Sequence, residues 1–321
     1  MLPNFAYIRA RTKQEALDNL GSEGAHVHAG GTDLLGCARD EVFEVEKIVS
    51  ISRLEELRGI TRSSDGSLRI GALTTISEIA QSPLVQESYP GLAQAAGDVA
   101  SPQLRNQGTL GGNLCQRPRC WYFRGDFHCA KKGGDLCYAV EGENRYHAIF
   151  GGDPCYIVHP SDTAPMLVAL GAEIHISGAA GNRSMPLQDF FVLPDQDLSR
   201  ENLLEPGEIV TEVLLPGASG IKSSYRKIRE RGAWDFALVS VALAVRMNGS
   251  TIAEARLVLG GVAPVPWRAE AAERALTGKQ PSPSLAADAA AAAVAGAQPL
   301  EQNAYKVLLA KGAILESLLA L

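Results

Sequence analysis

Apolar and polar residues follow one another in short periodic stretches, and their spacing predicts a chain of mixed helices and strands. Near the N-terminus, Thr12-Lys-Gln-Glu15 is typical of a capping box and predicts a short helix that continues through Leu20. Apolar runs at 25–29 and 47–51 predict strands on either side of a glycine turn. We therefore expect a small lobe of helices and strands over residues 1–55.

A second set of elements is predicted between residues 56 and 218. A strand is expected at 68–73, and Thr75-Ile-Ser-Glu78 is a second capping box that precedes an alanine-rich helical run at 91–100. Further predicted elements are a strand at 155–159, a helix from Ser161 or Asp162 to Leu170, and strands at 173–177 and 208–216. We expect these strands to form a mainly antiparallel sheet.

The segment Pro216-Gly-Ala-Ser-Gly220 predicts a domain boundary, because proline and glycine interrupt regular structure. After it come three predicted strands, in KSSYRKIR, FALVSVALAVRM and IAEARLVLGGV, and helices near 267–276, 283–296 and 300–320. We therefore expect a domain over residues 1–218, whose larger lobe is 56–218, and a C-terminal domain over residues 219–321.

Composition narrows the class of protein. With 321 residues, of which 46% are hydrophobic, the chain can bury a substantial core. Its net charge of -6 argues against nucleic acid or an anionic membrane as a partner, and no apolar run approaches the roughly 20 residues of a membrane span. The N-terminus also lacks an export pattern. The sequence alone therefore predicts a soluble, cytoplasmic protein whose partners are proteins or small molecules.

Two glycine turns are candidate phosphate-binding elements: AGGTDL at 29–34 and GTLGGN at 108–113. Paired glycines let backbone N–H groups approach an anion closely. Each turn alone also fits a tight connection between a strand and a helix, but two turns from separate lobes can hold the two halves of a pyrophosphate. Since neither GxGxxG nor GxxxxGK[ST] occurs, a flavin dinucleotide between lobes is favoured over a nicotinamide.

Five of the six cysteines lie between residues 115 and 155, in a long polar loop. Four of them have the spacing C-x8-C-x7-C-x17-C, at Cys120, Cys129, Cys137 and Cys155. Four thiolates suit either a [4Fe-4S] cluster or zinc, and this spacing alone does not decide between them. Long loops in compact domains usually carry function. The sixth cysteine, Cys37, follows apolar residues and is predicted to be a buried thiol.

The motifs taken together resemble a known family. AGGTDL at 29–34, QLRNQGTLGGNL at 103–114, HPSD at 159–162 and YRKIRERGAWDFALVSVA at 225–242 resemble, in this order, the FAD-binding subunits of molybdenum hydroxylases, the xanthine dehydrogenase and aldehyde oxidoreductase group. The resemblance covers nearly the whole chain. It implies an α+β protein with a two-lobe FAD-binding fold of the vanillyl-alcohol-oxidase type, followed by a C-terminal α+β domain of the carbon monoxide dehydrogenase flavoprotein type.

The resemblance also implies which residues contact FAD. Asp162 would hydrogen-bond ribityl or ribose hydroxyls, Lys227 matches a flavin-contacting lysine, and Val210 matches an apolar neighbour of the flavin. From the sequence alone, Lys227 fits a solvent-exposed lysine on a strand equally well. Asp162 also fits a residue that caps a helix. The residues that would bind the pyrophosphate and ribityl groups are Ala29, Gly30, Gly31, Thr32, Asp33, Leu34, Thr109, Leu110, Gly111, Gly112 and Asn113.

The cysteine loop, residues 115–155, resembles that of flavin subunits of bacterial periplasmic aldehyde oxidoreductases and, less closely, of 4-hydroxybenzoyl-CoA reductases, which hold a [4Fe-4S] cluster there. This implies Cys120, Cys129, Cys137 and Cys155 as ligands, with Cys115 a buried free thiol and the first substitute. The loop is also basic, which suits a negatively charged cluster, a solvated face or an acidic partner. The cations in the loop and just before it are Arg105, Arg117, Arg119, Arg124, Lys131, Lys132 and Arg145.

The function implied is that of an electron-transfer subunit of a heterotrimeric molybdenum hydroxylase. A large molybdenum-cofactor subunit would oxidise an aldehyde or related substrate, a small [2Fe-2S] subunit would relay electrons, and FAD on this chain would pass them to an external acceptor. The alternatives are an aryl-CoA reductase with inward electron flow, a stand-alone flavin oxidase and a zinc-stabilised scaffold. A partner's export signal would also allow a periplasmic location.

Overall fold

The computed structural model describes residues 1–321 and shows mixed helices and strands, which confirms the α+β class. The N-terminal elements are β1 (Ala6–Arg9), α1 (Lys13–Leu20), β2 (Ala25–His28), α2 (Leu34–Arg39) and β3 (Lys47–Ser50). The strands form a small parallel sheet in the order β1-β3-β2. The hydroxyl of Thr12 accepts a hydrogen bond from the backbone of Glu15, so the predicted helix begins where the sequence indicates.

The larger lobe contains a five-stranded antiparallel sheet and a group of short helices. Its elements are β4 (Ile60–Arg62), β5 (Leu68–Gly71), α3 (Ile76–Gln81), α4 (Pro83–Ser88), α5 (Pro90–Gly97), α6 (Pro102–Gln107), α7 (Leu110–Leu114), α8 (Trp121–Arg124), α9 (Thr163–Ala169), β6 (Glu173–Gly178), β7 (Gly181–Pro186) and β8 (Ile209–Leu215). The strand order is β4-β5-β8-β6-β7. The capping box at Thr75 is complete, because Glu78 returns a hydrogen bond to the Thr75 backbone.

The strand predicted at 155–159 is wrong. This segment belongs to no sheet, and single backbone hydrogen bonds tie it to its surroundings, from Ala148 N–H to the Tyr156 carbonyl and from His159 N–H to Ala263 in the C-terminal domain. It crosses from the cysteine loop to α9, and there the cap is Ser161, whose hydroxyl accepts from the backbone of Ala164. The Asp162 carboxylate is thereby left available for other partners.

The remaining residues form an antiparallel sheet covered by three helices. Its elements are β9 (Ile221–Ile228), β10 (Val239–Asn248), β11 (Thr251–Gly260), β12 (Trp267–Arg268), α10 (Glu270–Leu276), α11 (Pro283–Val294) and α12 (Tyr305–Leu319), and the strand order is β12-β11-β10-β9. The alanine-rich segment is a packed helix, as predicted, because Ala286, Ala289, Ala290 and Ala293 of α11 are buried in the core.

One apolar core connects the larger lobe to the C-terminal sheet. It joins β5, β6 and β8 with α5 and α9, and it includes Tyr225, Ala242 and Val258 from the C-terminal strands. The two sheets therefore hold the polar groups between them at fixed positions. No helix has the length and apolar character needed to cross a membrane.

Candidate flavin cleft and cysteine cavity

Three adjoining cavities form one elongated cleft between the lobes and the C-terminal sheet. The first, of about 230 Å³, shares Thr32, Asp33 and Thr109 with the second, of about 280 Å³. The second shares Asp162 and Phe236 with the third, of about 380 Å³. Three cavities in series suit an extended ligand such as a dinucleotide.

The first glycine turn offers unpaired hydrogen-bond donors to the first cavity. The backbone N–H groups of Gly30, Gly31, Thr32 and Asp33 make no hydrogen bond within the protein, and all four residues line the cavity. Consecutive N–H groups that point toward one space form an anion site without any charged side chain. This geometry fits the predicted pyrophosphate contact.

Glycine is required in this turn for two physical reasons. A side chain on Gly30 would overlap the carbonyl oxygen of Gln107, so the missing Cβ lets the first turn lie directly against the segment that precedes the second. Gly31 has a φ of 72°, in the left-handed region that other residues adopt at a cost. The two predicted turns are therefore in direct contact.

The second glycine turn uses its donors differently. The N–H groups of Leu110 and Gly111 donate to the carbonyls of Thr74 and Ala72, and those of Gly112 and Asn113 donate back to Thr109. These bonds leave the Thr109 N–H without a partner in the protein. The second turn is thus braced against the larger lobe, and the first turn provides most of the free N–H groups.

The predicted apolar contacts divide between the cleft and the core. Ala29, Leu34 and Val210 line the first cavity, as do Gly111 and Gly112. Leu110 is fully buried in the main core and lines none of the three cavities, so it supports the turn from behind.

Asn113 lines the second cavity. Its side-chain oxygen accepts hydrogen bonds from the hydroxyls of Ser161 and Thr163. The start of α9 is thereby tied to the second turn.

Asp162 forms part of the cleft wall, and Lys227 lies behind it. The Lys227 ammonium is 2.7 Å from one Asp162 oxygen and also donates to the carbonyl of Asp98. The hydroxyl of Tyr225 donates to the other Asp162 oxygen, at 2.8 Å. Burial raises the pKa of the Asp162 carboxyl, while Lys227 and Tyr225 favour its anion. Lys227 itself lines none of the three cavities, so its contact with a flavin stays a prediction.

Asp33 connects the first glycine turn to the cysteine loop, a role that the sequence did not predict. Its carboxylate accepts from the backbone N–H of Arg117 at 2.7 Å and from the guanidinium groups of Arg119 and Arg124 at 2.7 and 2.8 Å. All three arginines belong to the loop. The loop is therefore fixed directly to the turn that offers the anion site.

The other cations of the loop are also paired inside the protein. Lys131 is buried and lies 2.7 Å from Glu201, which also binds Arg117 at 2.7 Å. Lys132 donates to the carbonyl of Gly125, and Arg145 pairs with Glu230. These side chains are therefore bound within the protein, although more than half of the Arg145 side chain stays exposed.

The four predicted metal ligands line a single small cavity. We call it the cysteine cavity: Cys120, Cys129, Cys137 and Cys155 surround it together with Tyr122, Phe123, Ala130, Lys131, Tyr138, His147 and Ile157. None of the four is in a disulfide. Residues up to 35 positions apart in the sequence thus meet at one point, although no group of three or more His, Cys, Asp or Glu side chains is placed to hold a single metal ion.

The thiols of the cysteine cavity have perturbed acidities. Burial raises the pKa of Cys120 to about 11. A hydrogen bond between Cys137 and Cys155 lowers the pKa of the Cys137 thiol and raises that of Cys155. Burial also lowers the pKa of His147, whose Nε2 lies 3.2 Å from the Cys120 sulfur, to about 4. His147 was not predicted, because nothing in the sequence around it indicates this contact.

Cys37 and Cys115 lie apart from the other four. Both line the first cavity, and neither lines the cysteine cavity. Burial raises the pKa of Cys37 to about 11 and that of Cys115 to about 12, which keeps both as protonated thiols. Cys37 is buried, as predicted, whereas Cys115 is a free thiol that is only half-buried.

Comparisons with known proteins agree with this geometry. Residues 3–218 match the family of FAD binding domains in molybdopterin dehydrogenase, and residues 223–321 match the CO dehydrogenase flavoprotein C-terminal domain. The chain is 39% identical to the aldehyde oxidoreductase FAD-binding subunit of Escherichia coli, over 96% of this chain and 95% of that one. It is 32% identical to the glyceraldehyde dehydrogenase medium chain of Sulfolobus acidocaldarius, over 90% and 86% of the two chains.

A solved structure shares the whole fold. Carbon monoxide dehydrogenase from Hydrogenophaga pseudoflava superimposes with a TM-score of 0.79 at 30% identity, over 98% of this chain and 96% of that chain. The chain therefore belongs to the family of FAD-binding subunits of molybdenum hydroxylases, and it is an oxidoreductase subunit. The fold predicted from the sequence motifs is confirmed.

Proposed function

We propose that this chain carries both FAD and a [4Fe-4S] cluster and transfers electrons within a heterotrimeric molybdenum hydroxylase that oxidises aldehydes or related substrates. The observation that carries the proposal is the position of Cys120 and His147, which line both the third cavity of the cleft and the cysteine cavity. A flavin in the cleft and a cluster on the four thiolates would be separated by one layer of side chains.

The four cysteines fit an iron–sulfur cluster because they have the required thiol groups and line the same cavity. Four cysteines are the ligand set of a [4Fe-4S] cluster, and their sulfurs stand further apart than the ligands of a single ion, because each cysteine sulfur bonds a different iron. The cysteine cavity has a volume of about 10 Å³, room for roughly one water, so the side chains must turn outward to hold four irons. Cys120, Cys129, Cys137 and Cys155 would be the ligands.

FAD would occupy the three-cavity cleft and would supply the exchange between single electrons and electron pairs. We propose that residues 29–34 and 109–113 hold its pyrophosphate and ribityl groups, with the free N–H groups of the first turn as donors. Asp162 and Val210 would contact it from the wall of the cleft, and Lys227 would hold Asp162 in place. Residues 1–218 and 219–321 would be the two domains around it.

Large molybdenum-cofactor and small [2Fe-2S] subunits are the partners that this proposal requires. Support comes from the relatives, which are named FAD-binding subunits or medium chains of larger enzymes. Oxidation of an aldehyde is favoured over an inward, reductive electron flow because the relative at 39% identity is named an aldehyde oxidoreductase and the relative at 32% a glyceraldehyde dehydrogenase.

The experiment that tests the proposal is metal and flavin analysis of the chain purified with its partner subunits. We expect one FAD and about four irons per chain, with iron–sulfur absorption beneath the flavin spectrum. Cys129→Ser should remove most of the iron, whereas Cys37→Ser, outside the cysteine cavity, should keep it. Zinc in place of iron would support the scaffold alternative, and unchanged iron in Cys129→Ser would overturn the ligand set.

A test of direction uses the same complex. We expect an aldehyde to bleach the flavin absorption when no external acceptor is present, and the isolated chain to show no such response. A flavin that is reduced by substrate in the isolated chain would instead identify a stand-alone oxidase.

A further inference from the structure

His147 is a buried imidazole between the flavin cleft and the cysteine cavity. Its Nε2 lies 3.2 Å from the sulfur of Cys120, and no other side chain makes a hydrogen bond to any of the four cysteines except the pairing of Cys137 with Cys155. Only 4% of its surface is exposed. The ring is therefore fixed beside one sulfur and shielded from water.

The C-terminal domain holds the backbone of His147 in place. The side-chain amide of Asn303 donates to the carbonyls of His147 and Ala148, each at 3.1 Å. The ammonium group of Lys306 donates to the carbonyls of Tyr146, His147 and Gly261 and is fully buried without a carboxylate partner. Two otherwise costly buried polar groups thus serve to position this one segment.

A neutral imidazole has one proton, and its position decides what the ring does. Beside a protonated thiol, Nε2 can accept. Beside a thiolate that ligates iron, only an Nε2–H can make the hydrogen bond, since the sulfur then offers no proton. Donation to a cluster sulfur stabilises the more negative, reduced state and raises the reduction potential.

We propose that His147 is a positioning residue that donates a hydrogen bond from Nε2 to the Cys120 thiolate and thereby raises the potential of the cluster on the side that faces the flavin. This inference rests on the proposed function, because it needs a cluster on the four cysteines. Since Cys120 and His147 line both cavities, the hydrogen bond acts on the ligand nearest the cleft.

The test compares three variants of the chain purified as the complete complex. His147→Leu removes the donor and keeps an apolar side chain of similar bulk. His147→Gln places an amide N–H near the position of Nε2 and should restore the bond. His175→Leu is the matched control, because His175 lies on β6, away from both cavities. For each variant, iron and flavin per chain and the midpoint potential and EPR spectrum of the reduced cluster are measured.

We expect His147→Leu to keep its iron and flavin and to shift the cluster potential to a more negative value with an altered EPR spectrum. His147→Gln should recover most of the shift, and His175→Leu should match the wild type. A wild-type potential and spectrum in His147→Leu would overturn the inference, and so would equal loss of iron from the Leu and Gln variants. Wild-type complex without iron would overturn the proposed function itself, which separates the two failures.

Discussion

The Lys227 ammonium lies 2.7 Å from a carboxylate oxygen of Asp162, and the pair is buried where the larger lobe meets the C-terminal sheet. The carbonyl of Asp98 accepts a second hydrogen bond from the same ammonium. Asp162, in the wall of the cleft, is therefore held in place by Lys227 from the C-terminal sheet. Its orientation depends on the junction staying closed.

Breaking this pair should be costly. We expect Lys227→Met to lower the free energy of unfolding by about 3–5 kcal/mol, because it leaves a buried carboxylate without its counter-charge. The double variant Asp162→Asn with Lys227→Met should recover part of the loss. Urea unfolding of the wild type, the single variants Asp162→Asn and Lys227→Met, and the double variant gives the coupling free energy.

A lysine on the same strand gives the control. Lys222 of β9 is exposed, and Lys222→Met should unfold at the wild-type urea concentration. Strictly additive effects of Asp162→Asn and Lys227→Met would show that the two side chains do not interact.

Gly30→Ala should reduce bound flavin strongly. The new methyl group would overlap the carbonyl oxygen of Gln107 and push the two glycine turns apart, which disturbs the row of free N–H groups. Flavin per chain, measured by absorbance after purification, checks the prediction. Gly36→Ala is the matched control, because a methyl group there meets nothing within 4 Å and alanine suits the interior of α2. Equal flavin in the two variants would contradict the role of close approach.

Asp33→Asn should loosen the cysteine loop. The change removes the negative charge that pairs with Arg119 and Arg124. We expect the free energy of unfolding to fall by about 2 kcal/mol, which is the typical contribution of a hydrogen bond to a charged group. Proteolysis should become faster within residues 115–155. In the control, Asp40→Asn breaks the exposed pair with Arg39 and should leave the cleavage rate unchanged. If both variants resist protease like the wild type, Asp33 does not hold the loop.

Stability should fall as the pH drops from about 6.5 to about 4. Burial lowers the pKa of His159 to about 4, so this ring stays neutral in the native protein while the unfolded chain binds a proton near pH 6.5. The unfolded state then binds more protons, and the contribution of this residue to stability decreases by about 1.4 kcal/mol for each unit of pH in that window. Above pH 6.5 its contribution is constant.

The measurement is chemical unfolding of the wild type and His159→Gln at several pH values. The variant should lose stability less steeply between pH 6.5 and 4, and the two curves should run parallel between pH 7 and 8. Parallel curves over the acid range as well would mean that His159 is protonated in the native state.

The sequence predicts local features of this protein well. Capping at Thr12 and Thr75, the alanine-rich helix and the glycine turns depend on neighbouring residues, and each is found where the pattern indicates. The strand predicted at 155–159 is wrong because apolar alternation there reflects contacts on both sides of a crossing segment, not pairing in a sheet. Alternation alone cannot separate the two cases.

Long-range polar pairs were not predictable from the sequence. Asp33 meets arginines more than eighty residues away, and Lys131 meets Glu201 across a similar distance in the chain. Such pairs depend on how the cysteine loop folds over the lobes, and no local sequence pattern predicts that arrangement. The convergence of the four cysteines was implied by family resemblance, while the position of His147 beside Cys120 was not.

The attachment of Arg119 and Arg124 to Asp33 has a consequence for biogenesis. A nascent chain whose cysteine loop has not yet folded would carry an uncompensated Asp33 carboxylate in the turn that we propose for the FAD diphosphate. The carboxylate and the diphosphate, both negative, would then repel each other. Folding of the cysteine loop would place Arg119 and Arg124 against Asp33 and remove that repulsion. We therefore expect FAD to bind only after the loop has folded, so that bound FAD indicates a mature loop.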